Sequence, residues 1–214
     1  GVQYSYGLDL LVYTKNVDGT IIESDTQALL QEVLSEYMGS DMASFSSMAD
    51  SSSMFGGMES MQSLGSTAAS SMGMMSMNLW QEILTGKNDE PVNDLLKKQY
   101  DMVYGTWPNE YNEIVLVLDK NNELDDMTLY ALGLESKENI DAIMDAAIKG
   151  TELEKVDSKW SYEDICKTEF RVILNSDCFS YDETTGFYTD LRKTEAGLRF
   201  LYDNALTLKV TGII

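Results

Sequence analysis

The 214 residues carry 15 Lys and Arg against 36 Asp and Glu, a formal net charge of −21, and no histidine. That balance excludes the clustered positive charge of a nucleic-acid binder, and the missing imidazoles exclude His-based acid–base catalysis, Ser/Cys–His nucleophile pairs and His-ligated metals. The apolar fraction of 43% is ordinary, and a chain of this length buries roughly 70% of its unfolded surface.

The chain opens Gly1-Val2-Gln3 with no initiator Met and no apolar leader, which reads as a processed or trimmed piece of something larger. Leu8 to Tyr13 is an apolar, β-branched and aromatic run suited to a buried strand, and Asn16-Val17-Asp18-Gly19 supplies the turn after it. A helix is predicted from Asp25 to Met38. Ser24 and Gln27 would form its capping box, Leu29, Leu30, Val33, Leu34, Tyr37 and Met38 its apolar stripe, and Gly39 its C-terminal stop.

Composition then shifts abruptly. Between Asp41 and Asn78 there are 9 Met, 12 Ser and 4 Gly, and no Lys or Arg from Asn16 through Gly86, which marks a low-complexity insert. Met54, Met58 and Met61 fall on one helical stripe and Met72, Met75 and Leu79 on another, predicting two short Met-faced helices lying on another surface.

After the insert, Pro91 is predicted to open a helix from Val92 to Tyr104 closed by Gly105. Ile114 to Leu118 reads as a central strand. Asp125 or Asp126 caps a short helix ended by Gly133, and Ser136 begins another whose Ile140, Ile143, Met144, Ala147 and Ile148 make an amphipathic period up to Gly150. Ser161 with Asp164 starts a brief helix, and Phe170 to Leu174 is a strand. Phe179-Ser180-Tyr181 and Phe187-Tyr188-Thr189 flank a hairpin turn at Asp182 to Gly186. Thr194 caps a helix carrying Leu198, Leu201, Tyr202 and Ala205, and a closing strand, Thr207 to Ile214, stops in mid-pattern. Segregated helices around a small mixed or antiparallel sheet give an α+β fold. No run reaches the roughly 18 apolar residues that cross a bilayer, so any membrane anchor is expected outside this segment.

Three stretches, Tyr100-Asp101-Met102-Val103-Tyr104-Gly105-Thr106-Trp107-Pro108, Glu113 to Asp119 and Leu129-Tyr130-Ala131-Leu132-Gly133-Leu134, resemble the extracytoplasmic domain of ABC-transporter permeases of the MacB/FtsX-like family. The closing Leu208 to Ile214 is similar to that family's strand near the end of its inserted subdomain. The resemblance looks strongest to the long-insert versions of Gram-positive anaerobes. The resemblance implies a porter-like part with an inserted α/β subdomain: residues 1–40 would begin the porter-like part, 41–78 would be the Met/Ser-rich arm and 79–214 the α/β subdomain. It also implies a non-catalytic domain at the extracellular face of the cell membrane that couples conformational change across the membrane. Its partners would be the rest of the permease, an ATP-binding subunit, an exported peptide, lipid or drug, and a second copy in a homodimer. The alternative is a secreted or anchored binding protein using the Met/Ser-rich arm. A carboxylate-based hydrolase ranks last, since no paired-carboxylate constellation stands out.

Individual sites carry less. No G-x-x-x-x-G-K-[ST] loop is present, so nucleotide hydrolysis belongs elsewhere. Asp119, Asn121, Asn122, Glu123, Asp125 and Asp126 make an oxygen-rich loop of the kind that binds calcium, but it lacks EF-hand spacing, and an acidic loop that caps the next helix accounts for it. Met72, Met74, Met75 and Met77 offer soft thioethers for Cu(I), against the plainer readings of packing and an adaptable surface. Cys166 and Cys178 are the only cysteines. If Phe170 to Leu174 and Cys178 to Tyr181 formed a tight hairpin, Cys178 would lie on the order of 13 Å from the first strand's start, too far for a disulfide. No catalytic, cofactor or metal residue is assigned.

Overall fold

The computed structural model describes residues 10–26, 28–29, 79–87, 90–149 and 159–214. Its fold is α+β. Among the described residues one six-stranded sheet contains β1 (Leu11–Lys15), β2 (Ile21–Glu23), β3 (Tyr104–Gly105), β4 (Glu113–Leu116), β5 (Glu169–Ile173) and β8 (Leu206–Ile213). The order is β2-β1-β5-β8-β3, with β4 also on β8. Every pairing is antiparallel except β4 with β8, which is parallel, so the sheet is mixed. β6 (Phe179–Asp182) and β7 (Phe187–Asp190) form a separate hairpin, as predicted. The first strand and the later ones therefore share a single hydrogen-bonded sheet.

Alternation along the strands buries both faces. Val12, Phe170, Val172, Leu208 and Val210 point to one side, where Leu132, Leu134 and Ile165 cover them. Tyr13 and Ile173 point to the other, against Leu201 and Tyr202 of α5 (Glu195–Asn204). A third cluster joins Ile22 and Leu29 to Tyr130 and Ala131 of α2 (Asp126–Ala131) and Ile140 of α3 (Lys137–Lys149).

Local signals place most of the helices. Asp125 caps α2, accepting from the Thr128 N–H at 2.9 Å. The Ser136 hydroxyl accepts from the Asn139 N–H at 3.2 Å at the start of α3. Ser161 caps α4 (Tyr162–Cys166) and Thr194 caps α5. Each oxygen satisfies an N–H that the first turn leaves without an intrahelical partner.

Five expectations change. β1 is shifted toward Lys15, because Thr14 pairs with Phe170 and donates its buried hydroxyl to the Glu169 carbonyl at 3.1 Å. Ser24 does not cap the helix that begins at Thr26: Asp25 accepts from the Ala28 N–H at 3.3 Å, while the Ser24 hydroxyl is buried without a partner among the described residues. The long helix after Pro91 is the short α1 (Asp94–Gln99), capped by Asn93. The chain leaves it extended at Tyr100 because Val103 and Thr106 donate to the carbonyls of Ile213 and Thr211 at the β8 edge. Among the described residues β4 is no central strand, since it pairs there with β8 alone and its four residues are half-buried. β5 pairs with β1 and β8 rather than with β6, so the hairpin assumed for the cysteine argument does not form.

The Met/Ser-rich arm and most of the helix predicted for residues 25–38 lie outside the described residues. The two ends that flank them are described. Leu79 packs on the Ile22–Leu29–Ile140 cluster, and the Trp80 indole N–H donates to the Ser24 carbonyl at 2.7 Å. The Trp80 ring meets Phe170 edge-on at 5.1 Å between centroids, a favoured aromatic geometry.

Candidate functional site

The acidic loop folds on itself. Asp119 Oδ1 accepts from the Asn121 and Glu123 N–H groups, both at 2.8 Å, and Asn122 takes φ of 60° in the left-handed region. Those backbone bonds, the Glu123 one foremost, hold the Asp119 carboxyl below its ordinary pKa. Asp125 turns away to α2, accepting from the Thr128 hydroxyl at 2.6 Å as well as its N–H. The two carboxylates thus serve a turn and a cap, and among the described residues no three His, Cys, Asp or Glu are placed to hold a metal. Met72, Met74, Met75 and Met77 lie outside the described residues.

Both cysteines are free. Cys178 is fully buried with Sγ 3.5 Å from the Leu174 carbonyl, and Cys166 is half-buried at the end of α4. Burial pushes both thiols above the usual range, so neither is poised as a nucleophile at neutral pH.

The β6–β7 hairpin projects Phe179, Tyr181, Phe187 and Tyr188 into solvent, Tyr188 with 71% of its surface exposed. Tyr181 and Tyr188 are a cross-strand pair with ring centroids 5.0 Å apart. Arg192 braces the base of the hairpin: it forks onto Asp190 through two bonds of 2.9 and 2.8 Å and lies 5.6 Å from the Phe179 ring.

A cleft of about 410 Å³ opens where the ends of β1 and β5 meet α4 and α5. Lys15, Lys167 and Arg171 line it together with Asp164, Glu169 and Asp203, which makes it locally neutral in a strongly acidic molecule. Tyr202 is its aromatic wall, with Lys15 Nζ 5.0 Å and Arg171 Cζ 5.4 Å from the ring centroid. Most of these charges are engaged. Lys167 pairs with Glu163 and Asp164, each at 3.1 Å, and Arg171 donates to Glu169 at 2.9 Å and to the Thr207 hydroxyl. Sequence reasoning missed this cleft. Its residues come from four elements with no spacing relation, and the only local hint is the Lys167-Thr168-Glu169-Phe170-Arg171 concentration of charge in a cation-poor chain.

No protein-family model, curated protein or solved structure matches the chain. The stretches that carry the permease resemblance nevertheless converge in space. Tyr104 and Gly105 pair with Ile213 and Gly212, Glu113 to Leu116 run along Lys209 to Ile213, and Leu132 and Leu134 share a core cluster with Leu208, Val210 and Ile213. No helix among the described residues is long and apolar enough to cross a membrane.

Proposed function

We propose that the chain is a non-catalytic extracytoplasmic domain of an ABC-transporter permease of the MacB/FtsX-like kind, coupling conformational change across the membrane and contacting an exported peptide, lipid or drug. The observation that supports this reading is the convergence on β8: stretches scattered from Tyr100 to Ile214 pack as one unit, as segments of one inherited module would. In this role the domain works at the extracellular face, its partners being the remaining permease, an ATP-binding subunit and a second copy. A mixed sheet packed on both faces suits a body that transmits force by moving as a whole.

The test uses the parent protein carrying an epitope tag. Expected are membrane fractionation, cleavage of the β6–β7 hairpin by protease added to intact cells, and co-purification of an ATP-binding subunit. A cytosolic protein, or a membrane protein with no such subunit, overturns the reading. A second reading, a secreted or anchored binding protein, draws on the exposed aromatics of the hairpin and predicts release into medium or wall fraction instead.

A further inference from the structure

We propose that the cleft between β1, β5, α4 and α5 binds a small zwitterion, a free α-amino acid, independently of whether the chain belongs to a transporter. The argument rests on which charges are still open. The Lys15 ammonium lies 5.0 Å from the Tyr202 ring centroid and makes no ion pair among the described residues. Asp203 lines the same cleft and makes no hydrogen bond or ion pair among them either. Every other charge in the cleft has a partner.

Arg171 adds little to the positive end. Of a guanidinium's five N–H donors, one nitrogen faces Thr207 and another Glu169, while Nε–H is shut off from solvent without an acceptor. Its charge is answered largely by Glu169, which leaves Lys15 as the open cation of the cleft. A ligand carboxylate seated in the cleft is attracted by the Lys15 ammonium, and a ligand ammonium by Asp203.

The net charge decides between ligand classes. A molecule at −21 repels free anions at long range, so phosphate or a simple carboxylate enters against the field, and three carboxylates in the cleft repel it again at short range. A zwitterion carries no net charge to be repelled, and its two ends match the open cation and the open carboxylate. A volume of about 410 Å³ lies within the range of small-molecule sites.

Isothermal titration calorimetry of the chain against the standard L-amino acids, one at a time up to about 10 mM, tests this. Saturable binding of at least one is expected, with Kd rising about tenfold in Lys15→Met and in Asp203→Asn, each removing one charged contact. Both side chains are exposed, so these variants should fold, and circular dichroism checks that they do. Lys193→Met, outside the cleft, should bind as the parent does. Acetate, ethylamine and inorganic phosphate should each bind more weakly than the amino acid. Failure of every amino acid to bind overturns the proposal. So does binding indifferent to both cleft variants, or phosphate or acetate binding as tightly as the amino acid.

Discussion

Single residues set limits that composition does not reveal. Gly133 ends α2 with φ of +75°, and a Cβ there would sit 2.5 Å from the Lys15 carbonyl oxygen, so this position needs glycine twice over. Gly186, in the hairpin turn at φ +73°, has open space around it. Gly186→Ala should therefore cost only the left-handed penalty of about 1 kcal/mol, and Gly133→Ala at least about 2 kcal/mol, read as shifts in urea unfolding. Glu23 is a second such residue. Burial first, and the neighbouring Asp25 next, raise its carboxyl pKa, against the lowering pull of Arg192 and of the Tyr13 hydroxyl. A raised carboxyl favours the folded state fully below its unfolded pKa of about 4.3, and that contribution is lost as pH rises through the folded value. Glu23→Gln should consequently raise the urea midpoint at pH ~7.5 relative to the parent and leave a smaller difference at pH ~4. An equal shift at both values would show that Glu23 acts by packing rather than by charge.

At the scale of elements, what could be read in the sequence was what local chemistry decides. α2, α4 and α5 have caps within four residues of the groups they satisfy, and β6–β7 carries its own turn, so these elements stand where the pattern put them. The misses are tertiary. Residues Tyr100 to Gly105 continue a helical pattern but are drawn out by β8, and Ile114 to Leu118 looks central by hydrophobicity although among the described residues a single strand flanks it. β2 has three residues, too few for any period to register. The cleft was illegible for a related reason: Lys15, Arg171 and Asp203 become neighbours only once β1, β5 and α5 are assembled. Phe170 shows how much one strand position carries, being 2% exposed at the middle of the sheet and in edge contact with Trp80. Phe170→Ala should lower unfolding free energy by about 3–5 kcal/mol. It should also alter the Trp80 fluorescence of the folded state. A loss below about 1 kcal/mol would mean that the site refills and is not the hub described.

For the whole molecule, the described residues on either side of the Met/Ser-rich stretch meet in one place. Leu29 and Leu79 pack in one cluster beside the bond from Trp80 to Ser24. Replacing residues 41–78 by a flexible linker of about ten residues should leave the circular dichroism spectrum of the body intact. Stability should change by no more than about 1 kcal/mol, since closing a loop depends only weakly on its length. Collapse of the fold would show that the arm is part of the core. The clasp formed by Trp80 and Ser24 has a practical reading in evolution and in the laboratory alike. If the linker variant keeps its fold, the two stems held side by side leave the intervening gene segment free to lengthen, shrink or be exchanged between lineages without renegotiating the sheet. The same junction would then accept a fluorescent protein or an affinity module as cargo, carried on a platform that does not register what it holds.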